Sequence, residues 1–443
     1  MRKKSPRITA ILCILTLLVT LGVPTAAKAK KELSFTAPAP LQFQKDGTFK
    51  IIQISDLQEL FVTCGIVEDF LYDIAEAEKP DLFVLTGDNI NYVGFPPWFF
   101  GDWACKQSID IIMNIFDKIG VPVTAVFGNH DAEGHDSVTR QKEYEWYAAH
   151  ESFIGWEAIA KPGEQSETVS DNDHYGTHYL QIAKNGSAKP VYNLWFFDSG
   201  SYIDSGGYDC VRTEQINWFK KTDADLRKAN GGKKLPSLAF QHIVPREIYD
   251  NGYLKEIPAG KDGAAPVTDK PYLTWALNDR KNGQDVRNKD GSLAVTYHYY
   301  SPDVPKGSTG WLRESAGSSR TNFGQWKALT EAGVTALFFG HDHINNYVMK
   351  RSGYPDLVNT PTAGFGPYGD IDMRGCRVIT LNTKNLNTYS EKTVTYQEFY
   401  SYRADSAVRS LRAVMYQNLR TFAVILDYPI FKPVLWVYSL FMK

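Results

Sequence analysis

From residue 49 onward, short apolar runs alternate with longer segments whose apolar residues recur every three or four positions. The runs at residues 50–54, 81–85 and 121–127 have the length and composition of buried strands. The segments between them, residues 67–78 and 109–119, have the spacing of amphipathic helices. This alternation predicts a parallel sheet with crossover helices, and therefore an α/β fold.

The second half of the chain is richer in predicted strands. We expect strands at residues 178–182, 192–198, 238–242, 335–340, 377–381 and 394–399, and helices at residues 213–229 and 325–332. Residues 245–320 break this pattern, because Gly, Asn, Asp, Pro and Ser dominate there with little periodicity. A loop-rich segment of this length is usually functional, so we expect an insertion near the rim of a binding site.

We expect residues 49–403 to form one domain. The N-terminal end differs from this domain in composition. Basic residues precede an apolar stretch at residues 8–23, and small residues follow it, which is the layout of a secretory signal. We therefore expect residues 1–29 to direct export to the extracellular space or cell envelope, with a polar lead-in at residues 30–48. The alternative is an uncleaved membrane anchor, although the stretch is shorter than the roughly 20 residues that span a bilayer.

The C-terminal tail, residues 404–443, is amphipathic in its first part and strongly apolar in its second. Two prolines and two charged residues interrupt the apolar part, so the pattern does not favour a membrane-spanning helix. Two alternatives stay open: the tail contacts a membrane surface, or it packs on the core.

Composition mainly excludes classes of partner. The formal net charge of −2, with no Lys/Arg-rich run beyond the N-terminus, argues against a nucleic-acid partner. Cys13 lies in the predicted signal, and the other four cysteines lack the spacing of a structural zinc site. Disulfide pairing and oligomeric state stay open.

Candidate chemistry is concentrated in five short segments, each of which follows or ends a predicted strand. They carry Asp56 and Gln58; Asp88; Asn129, His130 and Asp131; His242; and His341 and His343. Taken singly, a Gly-Asp or Gly-Asn pair is more often a turn than a metal site. Together, oxygen donors and imidazoles at strand ends predict a pair of divalent ions, which can neutralise phosphoryl oxygens and activate a water. Phosphate-ester hydrolysis is the predicted reaction.

The order of these motifs, from Asp-x-Gln to Gly-His-x-His, resembles the calcineurin-like metallophosphoesterase superfamily. Longer matches at residues 197–200, 241–245, 340–346 and 364–369 resemble the branch that holds fungal cell-cycle-regulator phosphatases and plant probable inactive purple acid phosphatases. The resemblance covers roughly residues 48–400. It implies a sandwich of two sheets flanked by helices, in the order αββα.

The resemblance also implies a role for each matched residue. Asp56, Gln58, Asp88 and His343 would hold the first metal, and Asp88, Asn129, His242 and His341 the second, with Asp88 as the bridge. A water shared by the two metals would be the nucleophile. His130 would protonate the leaving group or stabilise the developing charge, with Asp131 orienting its imidazole.

Two positions depart from the family pattern. Gln58 replaces a metal-binding histidine, and an amide oxygen suits hard cations better than borderline ones. Asn91 stands where purple acid phosphatases have the tyrosine that colours iron(III), so we expect two like divalent ions. Mn²⁺ is favoured, with Fe, Zn²⁺ or Mg²⁺ as alternatives.

The sequence therefore predicts an exported phosphoesterase whose partner is a phosphate-ester substrate. The main alternative is a catalytically weak or inactive envelope binding protein that keeps the fold, and Gln58 is the residue that supports it. A third class is a lipid-surface protein that depends on residues 404–443. The kind of ester stays open between monoester, diester, nucleotide, lipid and phosphoprotein.

Overall fold

A computed structural model describes residues 36–59, 65–91, 97–133, 138–156, 158, 175–203, 206–251, 253–257, 273–278, 280–281, 284–285, 289, 295–302, 307–370 and 372–400. All of them fall in the unit Leu33–Asn418. The predicted export signal, the start of the lead-in and the C-terminal tail lie outside the described residues. Across the described part of the chain, none of the helices combines the length and apolar character that crossing a membrane requires.

Strands and helices follow one another through the described residues. The strands are β1 (Leu41–Gln42), β2 (Thr48–Ile54), β3 (Leu82–Thr86), β4 (Val123–Val126), β5 (His178–Ala183), β6 (Pro190–Phe196), β7 (Ser237–Phe240), β8 (Leu254–Ile257), β9 (Leu273–Asn278), β10 (Arg280–Lys281), β11 (Gln284–Asp285), β12 (Val295–Pro302), β13 (Thr309–Trp311), β14 (Val334–Phe339), β15 (Asn346–Met349), β16 (Asp356–Asn359), β17 (Gly375–Asn382) and β18 (Tyr389–Thr395). The helices are α1 (Gly65–Glu78), α2 (Pro97–Ile119), α3 (Arg140–Ala148), α4 (Thr213–Ala229), α5 (Glu247–Asp250), α6 (Gln325–Ala332) and α7 (Tyr396–Tyr400), and His130–Ala132 form a 3-10 turn.

Two sheets pack face to face. The larger has the strand order β1-β5-β6-β7-β14-β16-β15-β13, and the smaller has the order β18-β17-β2-β3-β4. Strands β2, β3 and β4 run parallel, as do β6, β7, β14 and β16. Ile51, Val84 and Ile379 of the smaller sheet are buried in one core with Leu194 and Phe338 of the larger sheet. This core joins the two sheets into a sandwich.

Helices cover the outer faces of the sandwich. Phe116 of α2 packs on Phe83 of β3, with ring centroids 5.0 Å apart. On the other side, α4 and α6 are buried against the larger sheet, where Phe219 contacts Trp195 at a ring distance of 4.7 Å. The apolar residues of these helices recur on one face, which is what their burial requires. The expected αββα sandwich is confirmed.

The last predicted strand, at residues 394–399, is wrong. Strand β18 ends at Thr395, and the chain turns into α7. The reason is aromatic packing: Tyr396 stacks on Phe70 of α1 with ring centroids 4.0 Å apart, and Phe399 and Tyr400 contact the same ring. Aromatic residues three and four positions apart reach one partner from a helix, whereas in a strand Phe399 would lie on the face opposite to Tyr396 and Tyr400.

Residues 245–320 contain more regular structure than the sequence predicted. Strands β8, β12 and β9 form an antiparallel sheet of their own, and β10 pairs with β11. Strand β13 extends the edge of the larger sheet by pairing with β15. Strands β9 and β12 do carry apolar or aromatic residues at every second position, but the surrounding Gly, Asn, Asp, Pro and Ser residues obscured this pattern.

Candidate metal centre

Five loops meet at the carboxyl edge of the two sheets. They follow β2, β3 and β4 in the smaller sheet and β7 and β14 in the larger one. Parallel strands bring their carboxyl ends to one edge, so side chains far apart in sequence become neighbours. The seven predicted metal ligands lie on these loops, each at most 7 % exposed: Asp56, Gln58, Asp88, Asn129, His242, His341 and His343.

One group of side chains that could hold a metal ion contains Asp56, Asp88 and His343. Their ligand atoms all lie within 4.8 Å of one another. Asp56 comes from the smaller sheet and His343 from the larger, and Asp56 Oδ1 lies 3.2 Å from His343 Nε2. This group therefore joins the two sheets at their carboxyl edge.

A second group contains Asp88, His242 and His341, again with ligand atoms within 4.8 Å of one another. His242 Nε2 lies 3.2 Å from Asp88 Oδ2 and 3.3 Å from His341 Nδ1. Asp88 belongs to both groups, which is the position that a bridging carboxylate needs. The two groups correspond to the two ligand sets that the family resemblance implied; metal binding itself stays a prediction.

The donor chemistry fits a metal pair. Asp56 Oδ1 and Asn129 Oδ1 are buried oxygens without a hydrogen-bond partner, and a buried acceptor left unpaired is costly. His242 Nδ1 faces the Thr86 carbonyl at 2.8 Å, and His343 Nδ1 faces the Tyr368 carbonyl at 3.0 Å. A carbonyl accepts only, so it fixes the proton on Nδ1 and leaves Nε2 of each ring available to a metal.

The ionisable side chains of these two groups shift one another's pKa values. Burial raises the pKa of Asp88, but His242, His130 and His341 together outweigh this effect, and the net shift is downward. Burial lowers the pKa of His242, yet Asp88 and Asp56 raise it to about 10. Burial and the neighbouring His242 lower the pKa of His341 to about 3. The protonated imidazole of His242 therefore balances the negative charge of Asp56 and Asp88. A divalent cation would displace the proton from His242 and supply the positive charge in its place.

The backbone is held in an unusual conformation at these loops. Asp56, Gln58, Asp88 and His341 have φ values of 54°, 45°, 49° and 70°. Residues other than glycine rarely adopt positive φ, and such strain concentrates at functional sites. The residue before His341 is a glycine, Gly340, because a Cβ atom at that position would collide with the side chains of Ser55 and Asp56. The loops are thus shaped around the side chains they carry.

The two departures from the family pattern contact each other. Gln58 Nε2 lies 3.4 Å from both Asp88 Oδ2 and His343 Nε2, and its Oε1 accepts a hydrogen bond from Asn91 Nδ2 at 3.0 Å. Rotating both amides by a half turn would exchange their donor and acceptor roles and point the Gln58 oxygen at the first group. Gln58 thus lies beside Asp88 and His343, two members of the first group.

The role predicted for Asp131 is wrong. Its carboxylate accepts hydrogen bonds from the backbone N–H groups of Asn89, Ile90 and Gly128, and thereby ties together the loops after β3 and β4. Glu133 contacts the imidazole instead, with Oε2 2.8 Å from His130 Nδ1. The physical reason is the 3-10 turn, in which side chains three residues apart are eclipsed.

Three tyrosines that the predicted ligand set did not include lie against it. The ring of Tyr208 meets His341 edge-on and that of Tyr368 stacks on His343, each with centroids 4.2 Å apart. The Tyr202 hydroxyl accepts a hydrogen bond from Asn129 Nδ2 at 2.8 Å. Tyr202 and Tyr368 are 48 % and 55 % exposed, so they border the opening of the site. The glycine-rich segment at residues 364–369 was the sequence signal for Tyr368.

The chain is similar to known proteins in sequence and in structure. Residues 49–345 match the family model described as calcineurin-like phosphoesterase. The chain is 26 % identical over 390 residues to "Probable inactive purple acid phosphatase 29" of Arabidopsis thaliana, a match that covers 81 % of each chain. It is 24 % identical over 400 residues to "Phosphatase DCR2" of Saccharomyces cerevisiae, covering 83 % of this chain and 58 % of that protein. Among solved structures, a dimetal phosphatase from Danio rerio has 11 % identity and a TM-score of 0.40, covering 79 % of this chain and 99 % of that one.

Proposed function

The chain belongs to the calcineurin-like phosphoesterase family, and from this premise we propose that it is a metal-dependent enzyme that hydrolyses a phosphate ester. The observation that carries the proposal is the position of Asp88, which is shared by two buried groups of ligand atoms. Export, expected from residues 1–29, belongs to the same proposal, as does the expectation that nucleic acid is not a partner.

The side chains divide into holding and reacting groups. Asp56, Gln58, Asp88 and His343 would hold one divalent ion, and Asp88, Asn129, His242 and His341 the other. Such a pair neutralises the phosphoryl oxygens and lowers the pKa of a water. His130 is the reacting group: its backbone N–H donates to Asp88 Oδ1 at 2.7 Å, and its ring is 24 % exposed at the opening. It would give a proton to the leaving oxygen.

Chelation and metal return test the proposal. We expect purified full chain to hydrolyse p-nitrophenyl phosphate or its bis-ester, to lose this activity after chelation, and to regain it with Mn²⁺ better than with Mg²⁺, Zn²⁺ or Fe²⁺. The preferred ester would narrow the substrate class. Folded protein that binds metal but shows no turnover with any of the four ions would contradict the proposal and favour the binding protein.

The alternative function rests on Gln58. A binding protein without turnover is favoured by the amide at a ligand position, and a plant relative carries the word "inactive" in its name. The Gln58→His variant separates the two functions. If the natural chain is already an enzyme, we expect Gln58→His to bind Zn²⁺ roughly tenfold more tightly, because imidazole suits zinc better than an amide does. We expect its turnover number to differ from that of the natural chain by less than tenfold.

Zinc titration calorimetry and turnover measure this outcome. Gln141→His, an exposed change of the same chemistry on α3, is the control and should alter neither quantity. A rise in turnover from near zero to an ordinary enzymatic rate in Gln58→His would instead show that the natural residue disables the site.

A further inference from the structure

Glu133 contacts two side chains at the opening of the candidate site, His130 and Tyr202. Its Oε2 lies 2.8 Å from His130 Nδ1, and its Oε1 accepts a hydrogen bond from the Tyr202 hydroxyl at 3.2 Å. The same hydroxyl accepts from Asn129 Nδ2 at 2.8 Å. Because Asn129 and His130 are adjacent in the chain, these contacts close a ring of interactions in the loop after β4.

The contacts hold the His130 imidazole from one side. A carboxylate only accepts hydrogen bonds, so the short contact to Glu133 places a proton on Nδ1. The other ring nitrogen, Nε2, lies 3.9 Å from Asp88 Oδ2 and thus faces the metal groups. The nitrogen that a substrate would meet is therefore Nε2, and Glu133 determines which way it points.

Asp131 cannot share this task. Both of its oxygens are engaged by backbone N–H groups, at 2.9 and 3.0 Å for Oδ1 and 2.7 Å for Oδ2. It is 2 % exposed and lies behind the loop. Glu133 has a side chain 23 % exposed and reaches the imidazole from the outside, at the opening where a substrate enters.

We propose that Glu133 is a positioning residue for the reaction: it fixes the tautomer and direction of His130 so that Nε2 delivers its proton to the leaving oxygen. The inference rests on the proposed phosphoesterase function. In this step a water oxygen forms a bond to phosphorus and the bond to the leaving oxygen breaks. The leaving oxygen keeps the electron pair and takes the Nε2 proton, while the water loses a proton to solvent. His130 retains Nδ1–H and its bond to Glu133, and it regains the Nε2 proton from solvent.

The dependence on the leaving group tests this role. Proton donation matters for phenyl phosphate, a poor leaving group, and little for p-nitrophenyl phosphate, whose leaving oxygen is stable without a proton. In Glu133→Gln we expect kcat for the phenyl ester to fall about 100-fold, the lower end of what general acid catalysis contributes. For the p-nitrophenyl ester we expect a fall of less than about fivefold, with KM unchanged for both.

Three companion measurements keep the outcome decisive. Glu133→Asp keeps the charge and should recover part of the phenyl-ester rate, and Glu331→Gln, an exposed change on α6, should leave both rates unaltered. Metal content and melting temperature of Glu133→Gln should equal those of the natural chain. Equal losses for both esters, or loss of metal, would overturn the positioning role and make Glu133 a structural support of the Asn129 loop. If the natural chain prefers the bis-ester, diphenyl phosphate and bis-p-nitrophenyl phosphate replace the two monoesters; if it hydrolyses none of the four, the proposed function fails before this inference is reached.

Discussion

The Asp88→Asn variant is expected to lose metal-restored phosphate-ester hydrolysis almost completely, by about a thousandfold or more in kcat, as when a catalytic group is removed. The reason is that Asp88 belongs to both groups of ligand atoms, whereas the other carboxylate, Asp56, belongs to one. An amide has the same shape but no charge, and only one of its two atoms can bind a cation. The change therefore removes the link between the two metal positions.

Metal content and turnover measured on the same preparations check this prediction. We expect the natural chain to hold two divalent ions and Asp88→Asn to hold at most one. Asp225→Asn makes the same chemical change on the exposed face of α4, where the side chain is 63 % exposed, and should retain both ions and full activity. An Asp88→Asn protein with two ions and undiminished turnover would show that the shared position is not a bridge.

The loops of the site could be predicted because each one follows an apolar run. Asp56, Asp88 and His341 come within a few residues of β2, β3 and β14, so pattern alone locates them at one edge. Contacts between side chains on those loops could not be predicted in the same way. Whether Asp131 or Glu133 faces His130 depends on the local 3-10 turn. A turn of three residues is too short to produce a recognisable sequence pattern.

Among the helices of the fold, those with a clear apolar face were predicted more closely than α3, which was missed. Helices α4 and α6 have the predicted limits, because each has a clear apolar face and α6 is stopped by Gly333 at φ 79°. Although β4 and β7 are equally short and were predicted, strands β15 and β16 were missed. Their place is decided by pairing within the larger sheet, which is a long-range interaction.

A buried ionic cluster supports the loop after β4. Arg140 of α3 is 4 % exposed, and its Nη2 donates to the Gly128 carbonyl at 2.6 Å. Its guanidinium also lies 3.3 Å from Glu143 and 3.8 Å from Asp198, both buried carboxyls. Burial raises the pKa of Glu143 well above its usual range, although Arg140 acts in the opposite direction. The Arg140 guanidinium therefore offsets the negative charge of two buried carboxyls and donates a hydrogen bond to a loop carbonyl.

The Arg140→Met variant is expected to lower the free energy of unfolding by about 3–5 kcal/mol, the usual cost of leaving buried charges without their partner. Methionine fills a similar length but donates no hydrogen bond, so the Gly128 carbonyl and both carboxyls lose their cation. The urea midpoint and the melting temperature measure the loss.

Arg246→Met is the matched control, because Arg246 pairs with Asp250 on the surface, where the two side chains are 36 % and 44 % exposed. Such pairs contribute less than about 1 kcal/mol, so the control should melt close to the natural chain. Equal, small losses in both variants would mean that Glu143 and Asp198 are protonated and need no counter-charge. A large loss confined to Arg140→Met would instead show that the loop carrying Asn129 and His130 depends on a charge held behind it. Since those two residues face the metal groups, part of the stability of the site would then lie in α3.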